Sequence, residues 1–119
     1  MNALVLKELA AKRPRHPNDL DRKRIEYALR ERKRYRYVSP SVLAIDGGYR
    51  IESPCCSRNV DAEGGIVDVA LIEYREETDI WLLHRKNHTD GAWEFHSTYV
   101  RLKELLERLN TDAERKFWQ

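Results

Sequence analysis

The residues of this chain best suited to chemistry are His84, His96 and Asp68, and the adjacent pair Cys55 and Cys56. Two imidazoles and a carboxylate on one surface can ligate zinc or iron and leave coordination positions open. Strand periodicity would bring them together. Thr89-Asp90-Gly91 reads as a three-residue hairpin loop with Gly91 in the left-handed position, which opposes His88 to Ala92 and Lys86 to Glu94. In that register His84 faces His96 with Cβ atoms ~5 Å apart, and Asp68 falls diagonally beside them on the neighbouring strand. His88 lies four residues further along, ~13 Å away, outside the cluster. No ligand motif accompanies the trio, so the plainer reading is preferred: half-exposed histidines, Asp68 paired with Lys86, and no metal or other cofactor.

The cysteines face a similar test. A thiolate nucleophile or redox centre needs a lowered pKa, and here only Arg58 is near in sequence, with no helix N-terminus or histidine adjoining. The spacing is not the C-x-x-C of a redox pair or a zinc knuckle. A disulfide between neighbours would be strained and would close almost no loop. Cys55 and Cys56 therefore read as reduced thiols in a loop of an intracellular protein. Glu52, Asp68, Glu73 and Glu94 alternate out of strands and read as a solvated face, while Gly47-Gly48 and Gly64-Gly65 are turn doublets with no phosphate-binding pattern around them.

Charge is distributed unevenly. Lys12 to Arg36 holds eleven Lys and Arg against four acids, whereas Tyr37 to Gln119 holds ten against fifteen. A basic segment joined to an acidic body points to a charged partner. Arg22, Lys23, Arg30, Arg32, Lys33, Arg34 and Arg36 can reach phosphates, and Tyr35 and Tyr37 can stack on bases. No helix-turn-helix, RNA-recognition or zinc-finger signature supports nucleic acid, so a protein partner or a second copy of the chain is the first expectation and nucleic acid the alternative.

These residues need elements to position them. Lys12 to Pro17 carries two prolines and reads as a linker after an N-terminal segment, so residues 1–17 stand apart from a single domain over 18–119. Asn18 caps a helix with Asp19 and Asp21 in its first turn and Ile25, Ala28 and Leu29 on its inner stripe. Strands follow at Val42 to Ile45, Tyr49 to Ser53, Ile66 to Tyr74, Asp79 to Lys86 and Ala92 to Thr98, with Asp46-Gly47-Gly48 as a tight turn. The hairpin register puts Trp81, Leu83, Trp93, Phe95 and Tyr99 on one buried face, and pairing Ala70 with His84 adds Val67, Val69 and Leu71 to it. Leu102, Leu105, Leu106 and Leu109 form a helical face to cover it, and Thr111-Asp112-Ala113-Glu114 reads as a capping box restarting a short turn before Phe117 and Trp118. The fold class is α+β: an antiparallel meander of about five strands with an N-terminal basic helix and a C-terminal helix packed on one face.

Ser53-Pro54-Cys55-Cys56-Ser57-Arg58-Asn59, followed by Asp61, Gly64 and Gly65, resembles a small bacterial protein family of unknown function. Trp81, the Asp90-Gly91-Ala92-Trp93 turn and the terminal Phe117-Trp118-Gln119 add to the resemblance, which runs from about residue 20 to residue 119. It implies no activity, cofactor or catalytic residue. With no signal peptide or bilayer-spanning run in the sequence, the expectation is a small cytoplasmic domain that binds rather than catalyses. An enzyme using His84, His96 and Asp68, or Cys55, is the competing class.

Overall fold

The computed structural model describes residues 15–33, 38–54 and 65–118; Arg34, Tyr35, Arg36, Tyr37, Cys55 and Cys56 lie outside them. Helix α1 (Asp19–Ala28) begins at the expected cap, where Asn18 Oδ1 accepts the Asp21 backbone N–H at 2.7 Å. It buries Ile25 and, through the 3-10 turn Leu29–Glu31 that continues it, Leu29. Five strands follow, β1 (Ser41–Ile45), β2 (Gly48–Pro54), β3 (Ile66–Arg75), β4 (Ile80–Asn87) and β5 (Ala92–Tyr99), each antiparallel to the one before, in the spatial order of the sequence. Helix α2 (Leu102–Thr111) ends the domain. The architecture is α+β, with both helices packed into the core on one face of the sheet, α1 nearest β1 and α2 nearest β4 and β5. Among the described residues no helix is long and apolar enough to cross a membrane.

The first hairpin depends on two glycines for different reasons. Gly47 has φ +76°, which a side chain resists. Gly48 lies so close to β3 that a Cβ there would sit 1.9 Å from the Ile72 carbonyl oxygen. Any side chain at 48 would push β2 and β3 apart.

The later strands depart from the sequence reading by single residues. Ala70 pairs with Arg85 rather than His84, so Ala70, Ile72 and Tyr74, not Val67 and Leu71, share the face of Leu83 and Trp81. At the next hairpin Asn87, not His88, pairs with Ala92, so the loop holds four residues instead of three. The extra residue is accommodated by side-chain turns: Asn87 Oδ1 accepts the Thr89 N–H at 2.9 Å and Asp90 Oδ1 accepts the Ala92 N–H at 2.9 Å. A bulge between Leu83 and His84 then restores the expected pairs Leu83–Ser97 and Trp81–Tyr99, but leaves His84 opposite Phe95. Trp81 and Leu83 are buried with Tyr99 packed beside them, as expected. Trp93 and Phe95 emerge on the opposite face, and Phe95 is 58% exposed.

Helix α2 lays Leu105, Leu106 and Leu109 on the covered face. The capping box expected at Thr111 to Glu114 is replaced by a different device. Asp112, at φ 36°, ends α2, and its carboxylate accepts the backbone N–H groups of Lys116 (2.8 Å), Phe117 (3.2 Å) and Trp118 (2.8 Å). Phe117 and Trp118 are thereby held in the core, where Trp118 Nε1 donates to the Leu109 carbonyl at 2.9 Å.

Candidate ligand-binding cleft

Between α1, α2 and the Tyr74–Trp81 pair of the sheet lies a cleft of about 730 Å³. Its floor is built by a residue that precedes α1. His16 is packed so that its side chain is only 6% exposed, with Tyr74 and Trp81 at ring-centroid distances of 4.7 and 4.6 Å, both edge-on. Tyr74 and Trp81 are a cross-strand pair of β3 and β4, which is why both reach the same ring. Tyr49 of β2 secures the other side, its Oη 2.9 Å from His16 Nδ1 and 2.9 Å from the Asn18 backbone N–H that donates to it.

The cap and the floor share parts. Asn18, whose Oδ1 starts α1, donates through Nδ2 to Asp21 Oδ2 at 2.8 Å, and that oxygen is 3.7 Å from His16 Nδ1. Arg24 closes on the other oxygen of Asp21 at 3.3 Å. Burial pushes the His16 pKa below its ordinary 6.5, with Asp21 opposing the shift, and burial raises the Tyr49 hydroxyl above its ordinary 10. The imidazole is therefore neutral at neutral pH. Its hydrogen-bond contacts all run through Nδ1, and Nε2 has no partner among the described residues.

The walls are the facing sides of the two helices. Ala28 and Glu31 line one, and Lys103, Leu106, Glu107 and Asn110 the other. Asn110 joins the walls by donating from Nδ2 to the Ala28 carbonyl at 2.8 Å, while its buried Oδ1 has no partner among the described residues. An apolar, aromatic floor with a few unsatisfied polar atoms and charged walls is the general form of a small-molecule site.

The residues singled out by sequence fall elsewhere and do not converge. His84 lies on the open face, against Phe95 and 3.2 Å from Glu73 Oε1. His96 is the residue displaced by the bulge; its ring packs on the core residue Phe117 and bonds Ser97 Oγ at 2.7 Å. The two imidazoles that were expected to face each other thus point to opposite sides of the sheet. Asp68 pairs with Lys86 at 3.2 Å and with Arg50 at 3.7 Å. Among the described residues no three His, Cys, Asp or Glu side chains are grouped to hold a metal.

The basic surface also divides. Arg22 is paired with Asp19 and Glu26 at 3.4 and 2.7 Å. Arg32, expected on the contact surface, is 3% exposed instead: it donates to the Leu29 carbonyl at 2.8 Å and to the Val38 carbonyl, and its guanidinium lies 5.2 Å from the Trp118 ring centroid. Lys23, Arg30 and Lys33 remain exposed.

Sequence reasoning passed over His16, Tyr49 and Tyr74. A histidine between arginine and proline in a short Pro-rich stretch looks like linker, and its aromatic partners Tyr49, Tyr74 and Trp81 are 33 or more residues away, so no local spacing announces them. The one available signal was the tyrosine at 49 in an inward strand position, since a buried tyrosine hydroxyl requires a polar partner.

A family model described as a domain of unknown function, DUF3024, matches residues 13–119. No curated protein and no solved structure matches the chain.

Proposed function

The chain belongs to the DUF3024 family, and because membership assigns no activity we propose one from the site itself: a binding domain that receives a small organic ligand in the cleft over His16, Tyr74 and Trp81. One observation carries this reading. His16, packed against two aromatic rings and anchored through Nδ1, lines a cleft of about 730 Å³, and its other nitrogen has no partner among the described residues. That volume falls in the range of roughly 300–1,000 Å³ used by small-molecule sites. The test is a fragment-library screen followed by amide chemical-shift mapping. Hits are expected to move the resonances of His16, Ala28, Trp81 and Leu106, and Ala28→Phe, which fills the cleft from its α1 wall, should remove them while the circular dichroism spectrum is retained. Hits scattered over the surface, or indifferent to Ala28→Phe, would refute the reading.

A second reading retains the charged partner suggested by composition, and the outer face of α1 favours it. Leu20, Lys23, Tyr27 and Arg30 follow one another at helical spacing on the side away from the core; Tyr27 is 68% exposed, and the Arg30 guanidinium lies 5.3 Å from its ring centroid. A mixed apolar and basic stripe suits an acidic protein surface, including the acidic body of a second copy, and a basic-aromatic stripe also suits nucleic acid. Replacing Lys23, Arg30 and Lys33 by Ala should change the sedimentation behaviour if a second copy is the partner. It should instead weaken a salt-sensitive gel shift, with all sequences affected about equally, if nucleic acid is. A wild-type monomer that shifts neither RNA nor DNA at low salt would sink this reading. A cytoplasmic setting is proposed with both, on the reading of Cys55 and Cys56 as reduced thiols.

A further inference from the structure

Resting on the cleft as a binding site, we infer that its ligand is a small organic cation: an amine or guanidine carried on an apolar body. The charges of the walls are the first reason. Among the described residues, Asp21, Glu31, Asp79 and Glu107 line the cleft against the cations Arg24 and Lys103. Arg24 is engaged by Asp21 at 3.3 Å, and Asp79 accepts the Tyr74 hydroxyl at 2.6 Å. The carboxylates of Glu31 and Glu107 have no hydrogen-bond or ion-pair partner among the described residues. Among the described residues, an anion entering here would meet three carboxylates that no cation neutralises, Glu31, Asp79 and Glu107, and a single available ammonium; a cation finds the reverse.

The polar atoms of the interior agree. Asn110 Oδ1 is buried with no donor among the described residues, and such an acceptor is costly to leave empty. A ligand N–H group satisfies it once the Asn110 amide turns that oxygen into the cleft it lines. The His16 ring adds a second acceptor in one of its neutral tautomers. With Nδ1–H donating to Tyr49 Oη at 2.9 Å, and the Tyr49 hydroxyl donating to the Asn18 carbonyl at 3.4 Å, Nε2 of this cleft-lining ring carries the free lone pair and has no partner among the described residues. Burial holds the ring neutral, which also removes the repulsion that an imidazolium would exert on a bound cation. Tyr74 and Trp81 supply aromatic surface beside it, against which an ammonium or guanidinium gains cation–π attraction.

Three probes of nearly one shape separate charge from fit: benzylammonium, benzyl alcohol and benzoate, each titrated against the full chain at pH 7.5 and low salt, with amide shifts of the cleft residues as the readout. Benzylammonium is expected to bind about tenfold or more tighter than the alcohol, with benzoate weakest. The double variant Glu31→Gln, Glu107→Gln should keep the wild-type melting temperature and bring the ammonium close to the alcohol. N-acetyl-arginine amide, run alongside, tells a peptide side chain from a free amine by whether it outbinds benzylammonium. Equal affinities for the three probes, benzoate as the tightest, or a preference for the cation that survives in the double variant would overturn the inference and leave the cleft standing as a binding site. Absence of binding by every probe and by every fragment would remove both.

Discussion

The two faces of the sheet both carry large aromatic side chains and treat them as opposites. The face under the helices buries Tyr49, Ile51, Ala70, Ile72, Trp81 and Leu83. The open face carries a run of polar contacts, Arg50 with Glu52 along β2 (3.6 Å) and, across strands, Arg50 with Asp68 (3.7 Å), Lys86 with Asp68 (3.2 Å) and His84 with Glu73 (3.2 Å). Trp93 and Phe95 are as apolar as Trp81, yet they stand on that charged face, Trp93 beneath the Lys86 ammonium at 4.7 Å. Composition does not decide which aromatic is buried. The parity of the strand does, and one bulge resets it.

The largest expected effect breaks that symmetry directly. Leu83→Ala should cost about 2–5 kcal/mol, as truncation of a fully buried leucine does. Phe95→Ala, one bulge away, should stay within about 0.5 kcal/mol, as exposed substitutions usually do. Urea unfolding of the two variants checks both. Comparable losses would mean that the aromatic side chains of β5 are buried in the working protein by something that covers the open face.

Next in size is the anchor at the end of the covered face. The Asp112 carboxylate holds three backbone N–H groups inside the protein, so Asp112→Ala should cost about 1–3 kcal/mol. It should also loosen Trp118, with a red shift in the tryptophan emission. A stable variant with unshifted emission would mean that Phe117 and Trp118 hold their place by apolar packing alone.

How much of this was legible follows from the same parity. The helix from Asn18, the five strands, the turn at Asp46-Gly47-Gly48 and the leucine face of α2 all rest on local patterns, and each is present. The placement of Trp81 and Leu83 was legible too, because the four-residue loop and the bulge cancel beyond His84. Between them, from His84 to Asn87, the register is displaced by one, and the proposed pairing of His84 with His96 depended on that interval. No sequence rule distinguishes a three-residue loop at Thr89-Asp90-Gly91 from a four-residue one in which Asn87 supplies the turn. The cleft was not legible at all, since His16, Tyr49, Tyr74 and Asn110 come from four separate segments and meet only in the folded chain. The basic segment was legible as composition but not as surface: Arg32 lies inside, where the 3-10 turn carries it under Val38 and against Trp118.

Histidines sharpen the comparison in a pH experiment. Burial lowers His16 and His96 on the covered side, and burial aided by Lys86 lowers His88 in the β4–β5 loop. Each then binds a proton less readily in the native protein than in the unfolded chain, whose histidines titrate near 6.5. The stability these neutral rings permit is complete above about pH 6.5 and declines as pH falls through that value toward the native pKa values. Urea midpoints should therefore drop between pH 7.5 and 5.5, and His16→Gln should make the drop shallower. Midpoints flat across this interval, or a slope unchanged by His16→Gln, would place His16 in a more hydrated setting than its packing against Tyr74 and Trp81 implies.

The smallest effect belongs to the open face and asks whether it is open in use. Asp68 and Lys86 keep 24% and 19% of their side-chain surface, so their pair sits between a solvated bridge and a buried one. In contact with water on this face, a double-mutant cycle with Asp68→Asn and Lys86→Gln should give a coupling of about 0.2–1 kcal/mol. Added salt should reduce it, because the Debye length shrinks from ~10 Å at 0.1 M to ~3 Å at 1 M. A larger coupling that ignores salt would require the pair to be desolvated, since removing one member of a buried pair leaves the other uncompensated. Both helices pack on the other face of the sheet, so such a result would require a cover across Phe95 and Trp93 that the described residues do not supply. The same cycle run at rising protein concentration separates the two origins: a coupling that grows with concentration comes from another copy of this chain, and one that does not belongs to the single fold.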